Sequence, residues 1–97
     1  MILPLALFRF RPGTNLQLIE AAGAALTGLQ GRIPKICAIH WGRNLAPGST
    51  EYTHGLSVTL ADPEALKRYR EHPAHQAAVA TNPAPIRQAR WVADLEV

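Results

Sequence analysis

The run YTHGLSVTLADPEALKRYREHPAHQAAV, Tyr52 to Val79, joins a strand to two helices across a proline break. From Tyr52 to Ala61, His54, Leu56, Val58 and Leu60 point one way, and Thr53, Gly55, Ser57 and Thr59 the other. That two-residue period marks a strand with a bulky core face and a second face of small residues. Asp62 and Pro63 then supply an N-cap acid and a proline at the first helical position, and Glu64 suits the positive end of the helix dipole. Ala65, Leu66 and Tyr69 fall on the inward side at helical spacing. A residue before proline is pushed out of the α region, so the helix must pause at His72, and Pro73 starts a short helix reaching about Ala80.

Upstream, Leu45 to Glu51 has the Pro-Gly-Ser composition of a loop, and Ile33 to Asn44 reads as a strand with Gly42 able to host a bulge or turn. Thr14 and Gln17 form a capping box for a helix over about Asn15 to Leu29, with Leu18, Ala22, Ala25, Leu26 and Leu29 as its inward stripe. Gly28 and Gly31 are its stop signals. Ile2 to Arg11 is the first strand; either its pairing begins after Pro4 or the Pro4 nitrogen faces away from the neighbouring strand. Downstream, Asn82-Pro83-Ala84-Pro85 breaks the chain, and Ile86 to Val97, with Trp91, Val92 and Leu95, is the last strand. The order is strand, helix, strand, strand, helix, strand. It predicts a single α+β domain over residues 1–97 with the ferredoxin-like βαββαβ fold, a four-stranded antiparallel sheet with both helices on one face. The opposite face is left open, and in a chain this small a second copy is the simplest cover, which predicts a homodimer.

Composition narrows the function classes. A hydrophobic fraction of 47% with 18% charged residues describes a chain that folds. The net charge is +3, yet the ten Lys and Arg are scattered, and Lys67, Arg68 and Arg70 are flanked by Glu64 and Glu71 as on a solvated helix face. No nucleic-acid partner is expected. Cys37 is the single cysteine, so no internal disulfide forms and a reducing, cytoplasmic setting fits; its neighbours Ile36, Ala38 and Ile39 predict a buried, inert thiol. The opening MILPLALF lacks a basic n-region, and no run is long enough to span a membrane.

The chemistry-bearing residues are His54, Tyr69, His72 and His75. His54 stands on the core face of its strand, and the segment carrying Tyr69, His72 and His75 packs over that face. A histidine between sheet and helix serves as acid or base near neutral pH, and a tyrosine beside it donates to a developing oxyanion. The same residues also read as packing groups, with His72 capping the next helix. No metal is expected, because Pro73 puts His72 outside the helix and no third ligand stands nearby. No phosphate loop or nucleophile motif appears. His40-Trp41-Gly42 reads as a strand end with an aromatic at the rim.

On Tyr52-Thr53-His54-Gly55, Tyr69 and His72-Pro73-Ala74-His75, the chain resembles the stress-responsive α/β-barrel (Dabb) domain family. The likeness runs nearly full length, through Phe8-Arg9-Phe10, Ile33-Pro34, Trp41-Gly42 and a last strand holding Asp94. It implies the same ferredoxin-like fold, with the sheets of two protomers making an antiparallel β-barrel. The family includes a plant polyketide cyclase that closes its substrate by aldol chemistry without a cofactor. Resemblance to it implies His75 as base, Tyr69 as the group binding or orienting substrate, and His54 as a supporting residue; another histidine of that enzyme falls at Pro4 here. The resulting expectation is a cofactor-free homodimer binding a small apolar or aromatic molecule between sheet and helices. A cyclase-like, lyase or isomerase acid/base enzyme and a related monooxygenase are the alternatives.

Overall fold

The structure is a computed structural model describing residues 1–48 and 51–97; Ser49 and Thr50, within the expected 45–51 loop, lie outside the described residues. In chain order it runs β1 (Ile2–Phe10), α1 (Leu16–Thr27), a 3-10 turn (Gly28–Gly31), β2 (Ile36–Arg43), β3 (His54–Leu60), α2 (Pro63–Glu71), α3 (Pro73–Thr81), the single turn α4 (Pro83–Ile86) and β4 (Arg87–Glu96). The α+β ferredoxin-like order expected from the sequence is therefore present, with α2 and α3 together taking the place of the second helix.

Side-chain caps start the three longer helices. Asp62 accepts from the Ala65 amide at 2.8 Å to start α2. His72 ends α2 with ψ 133 and begins α3, its Nδ1 accepting from the Ala74 amide at 3.0 Å. At α1 the cap is Asn15, which accepts from the Gln17 amide at 2.7 Å, rather than Thr14. The turn through Gly13, at φ 78, closes onto Thr14: the Thr14 amide and hydroxyl both donate to the Arg11 carbonyl, so the helix starts one residue later. Asn82-Pro83-Ala84-Pro85 does more than break the chain. Its prolines occupy the first turn of α4, where backbone N–H groups have no helical acceptor to lose, and β4 begins at Arg87.

The sheet order is β2-β3-β1-β4, with every neighbouring pair antiparallel. Phe8 stands opposite His54 on one side and Arg90 on the other, which fixes which side chains share a face. Toward the helices point Ile2, Pro4, Ala6 and Phe8 of β1, His54, Leu56, Val58 and Leu60 of β3, and Arg90, Val92 and Asp94 of β4. The outer face carries Leu3, Leu5 and Leu7 beside Leu95, Ala93 and Trp91. Toward β4 Pro4 follows the second expectation, its nitrogen turned away from the strand it pairs with, but toward β3 it follows neither. Pairing with β4 continues through Pro4↔Asp94, whereas the β1–β3 register passes from Ile2↔Leu60 directly to Leu5↔Ser57. The Phe8 carbonyl accepts from the Thr53 amide on the β3 side, so even-numbered residues of β1 turn their backbone groups that way and the Pro4 nitrogen faces β3.

The core lies between sheet and helices around Phe8, Leu26, Leu29, Leu56, Val58 and Leu60. On α1 the buried residues are Ile19, Ala22, Gly23 and Leu26, while Leu18 is 53% exposed. The stripe is rotated from the expected one because a Cβ at Gly23 would overlap the Trp41 indole; the glycine makes room for that ring. Trp41, expected at the rim, accordingly reaches the core and packs 5.5 Å from Phe8. Cys37, expected to be buried, is exposed: the β2 register shifts between Ile36 and Ala38 and turns it outward on the edge strand.

Candidate functional site

A cavity of about 290 Å³ opens between the sheet and the helices. Ala6, Phe8, Leu56, Val58, Val79 and Val92 give it an apolar lining, and its polar groups are Tyr69, His75, Arg70, Asp94, Arg87 and Arg90. Tyr69 comes from α2 and His75 from α3. The break at His72 folds α3 back over the end of α2, so the two rings meet at 4.4 Å with a 48° tilt.

Each ring is held in a defined state. His75 Nδ1 lies 3.3 Å from the Arg70 carbonyl. A carbonyl only accepts, so Nδ1 carries the proton and Nε2 is left as the basic nitrogen. Burial lowers the His75 pKa, the Arg70 carbonyl opposes this, and the charges of Arg70 and Arg90 lower it further. Tyr69 is 4% exposed, and burial pushes its phenol up to about 12 against the pull of Arg70. At neutral pH the pair is therefore a neutral imidazole beside a protonated phenol.

On β4, the alternation Arg90, Val92, Asp94 turns two charged residues toward the helices. Arg70 grips Asp94 through both guanidinium nitrogens, with Nη1 at 2.8 Å from Oδ2, and this contact holds the carboxyl below its usual range. Burial and the nearby charge of Arg90 lower the Arg87 pKa, and its Nη1 is buried with no hydrogen-bond acceptor among the described residues.

The four residues singled out from the sequence do not all converge. Tyr69 and His75 line the cavity; His54 and His72 stand apart from it. His54 is 5% exposed and lies under Trp41, with ring centres 5.5 Å apart and planes at 23°, while Phe10 meets it edge-on. Its Nδ1 contacts the Thr53 hydroxyl at 2.9 Å, and its Nε2, like Trp41 Nε1, has no partner among the described residues. Burial lowers the His54 pKa, Glu20 raises it and Arg43 lowers it. His72 is the α3 cap and borders a separate shallow hollow with Lys35, Arg68 and Glu71. No sequence motif marks Arg87, whereas a two-residue period counted back from Asp94 places Arg90 on the helix side. Among the described residues no group of three or more His, Cys, Asp or Glu is placed to hold a metal ion, and no helix is long and apolar enough to cross a membrane.

The two lowered histidines make stability depend on pH. Below the usual value of 6.5 the unfolded chain takes up protons that folded His54 and His75 resist, so stability falls as pH drops from 6.5 toward their lowered values and is unaffected by them above it. The Asp94 contribution is lost only at lower pH, through the carboxylate range. Urea midpoints should therefore be lower at pH 5.5 than at 7.5, with less difference in His54→Gln. Equal wild-type midpoints would contradict this.

The sheet order, the helices on one face and the cavity beneath them define a ferredoxin-like α+β domain with an apolar outer face. Residues 4–97 match the stress responsive A/B barrel domain, and the chain belongs to that family. An uncharacterized protein of Streptomyces coelicolor is 34% identical over 82 residues, which is 82% of this chain and 84% of that protein. A dimeric ferredoxin-like protein of unknown function from Jannaschia sp. CCS1 is 30% identical, with TM-score 0.84 over 99% of this chain and 98% of that one. The hydroxynitrile lyase of Passiflora edulis has the same fold, with TM-score 0.88 over 99% of this chain and 92% of its own, at 16% identity.

Proposed function

We propose that this protein is a homodimer whose protomers each bind a small apolar or aromatic molecule between sheet and helices. The cavity carries this reading: an apolar wall with a few convergent polar groups is the usual make-up of a small-molecule site. Its volume stands at the low end of the range for such sites, about 300–1,000 Å³, which suits one ring with a short substituent. The dimer rests on the outer face, where Trp91 is 60% and Leu95 45% exposed, and on the dimeric description of the Jannaschia relative. The test is an NMR titration with monocyclic aromatics, both neutral and carboxylated. Saturable shifts at Ala6, Val79 and Val92 are expected, and Val79→Trp, which fills the cavity, should remove them. A panel giving no saturable shift at these residues would refute the reading.

The Tyr69–His75 contact favours a second reading, cofactor-free proton transfer at a carbon next to a carbonyl, as in a cyclase, lyase or isomerase. His75 Nε2 would take the proton, the C–H electrons would move onto the carbonyl oxygen, and the Tyr69 hydroxyl would donate to the resulting oxyanion.

A further inference from the structure

We infer that the ligand is a small organic carboxylate, with its charged end held by Arg87 and Arg90 and its apolar part lying against Phe8, Val79 and Val92. The inference deepens the ligand-binding reading above and rests on it. Among the charged groups in the cavity wall, Asp94 is taken up by Arg70, which meets both its oxygens. Arg87 and Arg90 remain, and neither has a carboxylate partner among the described residues. They stand at the β4 start of the cavity wall, close enough that the charge of Arg90 depresses the Arg87 pKa.

Arg87 Nη1 is the informative atom. It is buried and lacks an acceptor, and a charged donor held in that way is costly unless something arrives to accept from it. Two arginines lining one space suit a carboxylate, whose two oxygens match the planar guanidinium fork. The apolar residues beside them argue for an organic acid over a bare inorganic anion. A carboxylate here would also offset the Arg90 charge that, together with Arg70, depresses His75. Tyr69, Arg70, Arg87, Arg90 and Asp94 are the titratable and charged groups sharing the cavity with His75, and Asp94 is already neutralised by Arg70. Carboxylate binding should therefore move the His75 titration upward.

The experiment compares 4-butylbenzoate with its neutral isostere 4-butylbenzamide on the full chain by calorimetry, with the His75 ring followed by NMR. Benzoate is expected to bind about 10- to 100-fold more tightly than the amide, in line with charge-assisted hydrogen bonding. Its affinity should fall as salt rises, and it should raise the His75 pKa, which the amide should not. In Arg87→Gln and in Arg90→Gln, with melting checked against wild type, benzoate should drop toward the affinity of the amide. Equal wild-type affinities for the two compounds would overturn the carboxylate assignment and leave the ligand-binding reading standing. Inorganic phosphate binding as tightly as benzoate would overturn it in favour of a bare anion site. Failure of both aromatic compounds, together with the failed panel described above, would remove the parent reading as well.

Discussion

If the outer sheet faces of two copies pair as proposed, Trp91→Glu is expected to give a folded monomer at concentrations where the wild type dimerises. Trp91 is 60% exposed in the protomer and stands on the outer sheet face opposite Leu7 in register. It lies outside the core cluster, so its replacement leaves the protomer's interior intact. In a face-to-face dimer the same ring would be buried against the partner, as large aromatic anchors at interface centres are. Truncating such anchors costs about 2–4 kcal/mol, and an unpaired carboxylate left in an apolar interface costs more. The dimer dissociation constant should therefore rise by at least about 30- to 1,000-fold. Sedimentation velocity over a concentration series, with circular dichroism to confirm the fold, checks this. A variant that stays dimeric at wild-type concentrations would place the interface elsewhere.

If His75 is a base, His75→Ala should lower protein-catalysed exchange of the α-protons of a bound aryl ketone in D2O by about 10²- to 10⁴-fold, the range for a positioned general base. Loss of the Nε2 lone pair causes the drop, since the hydrogen bond from Nδ1 to the Arg70 carbonyl assigns the proton to the other nitrogen. Tyr69→Phe keeps the ring contact and removes only the donor to the oxyanion, so it should slow exchange while leaving ketone affinity nearly unchanged. The exchange rate of wild type should fall below the lowered His75 pKa, where the imidazole is protonated and cannot act as base. Wild-type exchange no faster than in buffer, or undiminished in His75→Ala, would exclude this chemistry for the ketones tried.

Legibility in the sequence followed the type of physical signal. The alternation from His54 to Leu60 and the Asp62-Pro63 start were plain because burial and capping there act on adjacent residues. The proline after His72 was equally legible, and it is what returns His75 to Tyr69. The α1 stripe was misread because a glycine marks its centre: Gly23 faces inward to admit Trp41, a contact between residues far apart in the chain that carries no hydrophobic signature at residue 23 itself. Cys37 was misplaced because a bulge breaks the two-residue period from which burial was inferred. In the site, histidines and tyrosine drew attention by chemistry, whereas Arg87 and Arg90 looked like ordinary surface cations until the register showed which way β4 turns them.

The position of β4 at the sheet edge bears on solubility. A ten-residue edge strand carrying Trp91, Val92 and Leu95 is a template for pairing with another chain. Arg87, Arg90, Asp94 and Glu96 are spaced along it, and such charges oppose edge-to-edge stacking. The two arginines inferred to receive a carboxylate thus also guard the strand against aggregation. If these two side chains do receive a carboxylate, neutralising both at once should lower solubility together with carboxylate affinity.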